Sequence, residues 1–237
     1  MSAQGRWWVA FVVAVAATAL CYVAFDRPVS YFAHDQLRQP IFVHMQRIPE
    51  FFVPIAVLIV MVGVVMVLTG RTLVRWQLVA LTFSASLAVT SGTKDFLKLV
   101  FGRTWPETWT ENNPSLIRDG VSGFNFFHGG SGYASFPSGH TAAICAAMTV
   151  LWMCYPRFRP IYALLVTATV VGLVGANYHF LSDVVFGGFL GASVALAAVR
   201  LTGLASASPS SRAGEADKAI RGPRTRPRTA SPLRSSK

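Results

Sequence analysis

The stretch Phe51–Gly70, FFVPIAVLIVMVGVVMVLTG, runs for twenty residues without a charged side chain. A helix of about that length spans the roughly 30 Å hydrocarbon core of a bilayer. A soluble amphipathic helix of the same length would show a polar face, and this one has none. Five more stretches meet or approach the requirement, at Trp7–Phe25, Trp76–Gly92, His140–Tyr155, Ile161–Tyr178 and Asp183–Leu201. The first follows Arg6 as a signal peptide would, but its apolar run of 19 residues exceeds the ~7–15 of a signal core. It is read as a helix. The fold class predicted over residues 1–201 is therefore all-α, an integral membrane bundle of six transmembrane helices.

Composition supports the same class. Of 237 residues 53% are hydrophobic and only 13% charged, about half the usual ~25%, and the mean hydropathy is +0.47. Those values exclude a soluble domain and a disordered chain. Cys21, Cys145 and Cys154 all fall inside apolar runs, so neither a disulfide scaffold nor a zinc pattern exists. The net charge of +11 is not a nucleic-acid surface, because eight of the 21 Lys and Arg residues lie between Arg212 and Lys237. Interleaved with Ser, Pro, Ala and Gly, residues 202–237 read as a disordered basic cytoplasmic tail.

The loops set the orientation. Arg6, Arg71, Arg75, Arg157, Arg159, Arg200 and the tail fall on one side, whereas eight of the ten acids fall on the other. Lys and Arg in short loops mark the cytoplasmic face, so both termini are predicted to be cytoplasmic. Two outer segments are long. Residues 26–50 mix Tyr31, Phe32 and Ile41 with His34, Asp35 and His44, a pattern that predicts an interfacial helix. Residues 93–139 are rich in Gly, Asn, Trp and Phe, and so long a loop is expected to be functional.

Three polar groups converge on that outer face. Lys94 and Lys98 are four apart on one helical face, with Asp95 between them and Arg103 in the turn that follows. Pro137-Ser138-Gly139-His140 stands directly before an apolar helix, where free N–H groups and the helix dipole bind anions. Ser138 is a candidate N-cap. His179 and Asp183 are again four apart, and a carboxylate on one imidazole nitrogen makes the other a better nucleophile or base.

In these motifs the chain resembles the phosphatidic acid phosphatase type 2 superfamily. That pattern is Lys, six residues, Arg-Pro; then Pro-Ser-Gly-His; then Ser-Arg, five residues, His, three residues, Asp. Residues 137–140 match the second part fully, His179 and Asp183 match the latter half of the third, and Lys98 aligns with the first. Trp105 stands where the family has the first Arg, and Gly172-Leu173 stands in place of Ser-Arg. Both arginines hold phosphate oxygens in the family. Arg103 matches an Arg carried by some relatives and is the expected substitute. Lys94, Arg118, His128 and Asn177 are further candidate donors.

The resemblance implies a metal-independent lipid phosphatase without a cofactor. Its partners are the membrane and a phosphorylated lipid. Lys98, Arg103, Ser138 and Gly139 would hold the phosphate, His179 would attack phosphorus with Asp183 orienting its ring, and His140 would protonate the leaving oxygen. It also implies a bacterial-type inner membrane with the site facing the periplasm. A lipid phosphotransferase, or a non-catalytic protein that binds a phosphorylated lipid, are the competing readings.

Overall fold

The computed structural model describes residues 2–37, 39–109 and 112–204. Beyond residue 204, the predicted basic tail lies outside the described residues. No strand occurs among those described, only three isolated bridges, and the chain is all-helical as expected. Nine α-helices are present in this range: α1 (Ala3–Leu20), α2 (Asp26–Gln36), α3 (Pro40–Gln46), α4 (Phe52–Leu68), α5 (Arg75–Phe101), α6 (Leu116–Asp119), α7 (Gly139–Cys154), α8 (Arg159–Gly175) and α9 (Leu181–Leu201).

Four helical rods, Gln4–Gln36, Pro40–Leu68, Pro156–Gly175 and Leu181–Leu201, are long and apolar enough to cross a membrane. The chain is thus a multi-pass membrane protein by its helices. On α4, Val57, Leu58, Met61, Val65 and Leu68 are all exposed, which in water would be untenable and in lipid is the normal state of a helix.

Two boundaries differ from expectation. The segment 26–50 is not one interfacial helix. Its first part, α2, continues α1 through a π-helical turn at Cys21–Phe25, and its second part begins at Pro40 as α3. Proline suits the first turn of a helix, where its missing N–H costs nothing. The other difference is in α5, which runs past Gly92 to Phe101 because no helix breaker intervenes until Gly102 takes a left-handed φ of 53°. Lys94 and Lys98 therefore ride on the helix itself, and the outer loop begins at Gly102.

Helix α7 forms the centre. Ala142, Ile144, Ala146, Ala147 and Val150 have no exposure, and α5, α8 and α9 pack around them. The approach of α9 is close because Gly187 and Gly191 face α7. A Cβ at Gly191 would lie 2.0 Å from the Ala142 carbonyl oxygen, so a small-residue seam lets the backbones meet, as in other membrane helix pairs. The alternation of helix directions then brings the C-terminal ends of α1, α5 and α8 beside the N-terminal ends of α4, α7 and α9. Every predicted site residue lies at that end. The opposite end carries Arg6, Arg71, Arg75, Arg157, Arg159 and Arg200.

Candidate active site

The site begins with two helix starts held together. Ser138 caps α7 by accepting the Thr141 N–H at 3.4 Å, and its own N–H donates to the Asp183 carbonyl at 3.1 Å. Asp183, in the first turn of α9, accepts the Phe180 N–H at 3.1 Å with Oδ2. Capping of this kind satisfies donors that a helix start leaves free. Here it also places His140, on α7, beside the turn that carries His179. The two imidazole centroids are 6.4 Å apart.

Both rings line one cavity of about 540 Å³, together with Lys94, Lys98, Glu50, Trp105, Gly139 and Tyr178. His179 presents its Nδ1 edge to Asp183 Oδ2 at 3.5 Å and to Ser135 Oγ at 3.4 Å, and Nε2 is on the opposite edge of the ring. Trp105 packs on the ring with centroids 5.1 Å apart, and the Lys98 ammonium lies 5.8 Å from the Trp105 ring. Burial pulls the His179 imidazole down to about 4, against the upward pull of Asp183. The ring is therefore neutral at neutral pH, with a free lone pair for nucleophilic attack.

Lys94 stands over the start of α7, and Lys98 lines the same cavity. A Cβ on Gly139 would lie 2.9 Å from Lys94 Cδ and 3.9 Å from its Nζ, so the absent side chain leaves room for Lys94 to cross the exposed backbone. Lys94 also pairs with Asp95. Two ammonium groups and a helix N-terminus together make a place for an anion. Away from them the cavity becomes apolar, lined by Val53, Val57, Val60 and Met61 of α4 and by Leu87 and Ala88 of α5. The four α4 residues are also exposed on the outer flank of the bundle.

Not all predicted phosphate donors reach this cavity. Arg103 is completely buried behind Asp183, with Nη1 donating to Asp183 Oδ1 and Nη2 donating to Asp26 Oδ2 at 2.7 Å. Two carboxylates and three aromatic faces (Tyr22, Phe124 and Phe180) enclose its guanidinium, so it holds protein rather than an open anion site. Ser138 is likewise sealed, its hydroxyl engaged by Thr141. Arg118 pairs with Asp119 at 2.9 Å. His128 lies on Tyr133, with centroids 3.8 Å apart. Asn177 donates to Glu107 Oε2 at 3.3 Å, and Glu107 Oε1 contacts His34 Nδ1 at 3.1 Å. Of the reserve donors, Lys94 alone is among the cavity residues.

Three residues at the site carry no sequence signal. Glu50, in the turn before α4, brings Oε1 to 3.4 Å from His140 Nε2. Ser135 donates to Asp183 Oδ2 at 2.6 Å. Asp26 sits 156 positions before Ser182 and touches it. Neither local pattern nor spacing marks such partners.

The departure at Gly172-Leu173 has a packing cause. A Cβ at Gly172 would lie 2.5 Å from the Gln46 backbone nitrogen, because α3 crosses α8 there. Leu173 is fully buried in place of a cation. No curated protein and no solved structure matches the chain. A family model, the PAP2 superfamily, matches residues 79–206, more than half of the sequence, from the first turns of α5 through α9, and so includes both histidines and both lysines of the cavity. With the motif histidines brought into one pocket and that match in hand, the chain belongs to the PAP2 superfamily.

Proposed function

We propose that the protein is a metal-independent lipid phosphatase that works through a phosphohistidine. One observation carries the reading: two imidazoles share a cavity that is cationic at one end and apolar at the other. The PAP2 superfamily points to phosphatase or phosphotransferase chemistry on lipid-like substrates. The apolar arm reaching the exposed flank of α4 suits a substrate whose chains remain in the bilayer while its phosphate sits among Lys94, Lys98 and the α7 N-terminus.

Phosphoryl transfer needs chiefly positioning and charge stabilisation. His179 Nε2 uses its lone pair to form the N–P bond as the bond from phosphorus to the lipid oxygen breaks. His140 gives that oxygen its proton. A water then returns a proton to His140 while its oxygen bonds to phosphorus, the N–P bond breaks, and Nε2 recovers its electron pair. Asp183 orients the ring and stabilises its cationic form throughout. Lys94, Lys98 and the Gly139 amide hold the phosphate oxygens.

The proposed setting is a six-span bundle, counting α5 and the short α7, in a bacterial-type inner membrane. The termini are cytoplasmic and the cavity faces the periplasm. Short loops at the other end that carry Arg71, Arg75, Arg157 and Arg159 and no acid support that orientation.

Purified protein assayed with a panel of lipid phosphates tests the reading. Phosphate release that disappears in His179→Ala and in His140→Ala is expected. Phosphate recovered on a second lipid would assign a transferase instead, and lipid binding without turnover would overturn the enzymatic reading.

A further inference from the structure

Between Tyr22 and Pro28 every residue is exposed except Asp26, which is 1% exposed. A carboxylate is buried only where it is paired, and an ionisable side chain that faces the interior of a membrane bundle marks function by default. The π-helical turn at Cys21–Phe25 ends at this residue, and such turns recur at functional positions. Asp26 Oδ1 accepts the Ser182 N–H at 2.9 Å, and Oδ2 accepts the Ser182 hydroxyl at 2.5 Å and Arg103 Nη2 at 2.7 Å. Arg103 Nη1 in turn donates to Ser182 Oγ at 2.6 Å and to Asp183.

Resting on the phosphatase reading, we infer that Asp26 is a positioning residue for phosphoryl transfer, acting on His179 through Arg103 and Asp183. The first helix thereby reaches the active site, although it lies outside the matched family segment. Geometry supplies half of the argument. Asp26 pins the first turn of α9 one residue before Asp183, and so aims Asp183 Oδ2 at the His179 ring. Charge supplies the other half. Asp26, Arg103 and Asp183 sum to one negative charge in a sealed volume, and attack on phosphorus makes the His179 ring cationic. Without Asp26 the set is neutral, and Arg103 bears on Asp183 alone. A buried ion network is weak evidence for stability, so its ending on the carboxylate that faces the nucleophile points to function. Substrate touches neither Asp26 nor Arg103, and the effect falls on the chemical step rather than on binding.

The test compares full-length wild type with Asp26→Asn and Ser182→Ala on the lipid phosphate that wild type hydrolyses fastest. Melting midpoints are recorded beside kcat and KM. Asp26→Asn is expected to lower kcat on the order of 10-fold, as loss of an outer-layer partner typically does, with KM unchanged. Ser182→Ala keeps all three charged groups and is expected to lower the midpoint while kcat changes less. Should Asp26→Asn fail to fold, Asp26→Glu displaces the same charge by one methylene, and a kcat loss at constant KM is again expected. Wild-type kcat in the folded Asp26 variant, with only a lower midpoint, would overturn the inference and leave the phosphatase reading standing. A wild-type chain without turnover would sink both.

Discussion

The His179 ring has Asp183 on one edge, Trp105 on its face, and Lys98 and His140 across the cavity. Burial nevertheless dominates and holds its pKa at about 4, below the ~6.5 of an unfolded histidine. Between those two values the unfolded chain binds more protons than the folded one, so stability falls as pH drops through that window and is level with respect to this group above it. A histidine NMR titration is expected to place the His179 midpoint near 4, and a midpoint near the unfolded value would contradict the burial account. At the same scale, Arg103→Ala leaves Asp26 and Asp183 buried without their cation, which costs about 3–5 kcal/mol. Arg118→Ala removes a surface pair with Asp119 and hydrogen bonds to the Asn112 and Asn113 carbonyls, and should lower the melting midpoint far less. Equal losses in the two variants would refute the buried role of Arg103. Sequence spacing places His140, His179, Asp183 and Lys98 as neighbours, and they meet at one end of the bundle. The expectation that Arg103 faces an anion differs from the buried pairs it makes with Asp26 and Asp183, because a spacing does not say which surface of a carboxylate a guanidinium meets.

Helix contacts explain where the family pattern is broken. Gly172 occupies the Ser position of the third motif because the α3 backbone passes within 2.5 Å of where its Cβ would be. Restoring that side chain with Gly172→Ser is expected to cost about 1–3 kcal/mol through overpacking, read as a lower melting midpoint. An unchanged midpoint would show that α3 moves aside freely. The α7–α9 seam makes the same demand at Gly191, where a side chain would meet the Ala142 carbonyl. Hydropathy located all six apolar stretches as helices. It misjudged the end of α5 and the course of residues 26–50, since helix continuation past Gly92 and the docking of α3 on α8 depend on packing partners remote in sequence.

For the molecule as a whole, the cavity joins a cationic pole to an apolar arm that reaches the exposed flank of α4. Ala88 is an exposed residue on the α5 side of that arm. Ala88→Trp is expected to raise KM for a long-chain lipid phosphate several-fold, on the order of 10-fold for a well-filled groove, while leaving hydrolysis of a short water-soluble phosphate ester unchanged. Parallel loss on both substrates would place the lipid chains elsewhere. That the chain lives in a membrane is legible before any contact is known, because uncharged runs of helical length have no other stable solvent. The motif Pro137-Ser138-Gly139-His140 and the His179–Asp183 spacing are legible in the same way, since each acts within a single helix turn. Which cations open into the cavity and which are enclosed by protein is settled by the fold alone. Lys94 and Lys98 line the cavity from α5, whereas Arg103 is captured by carboxylates from α2 and α9, and that choice is made by the packing of distant helices.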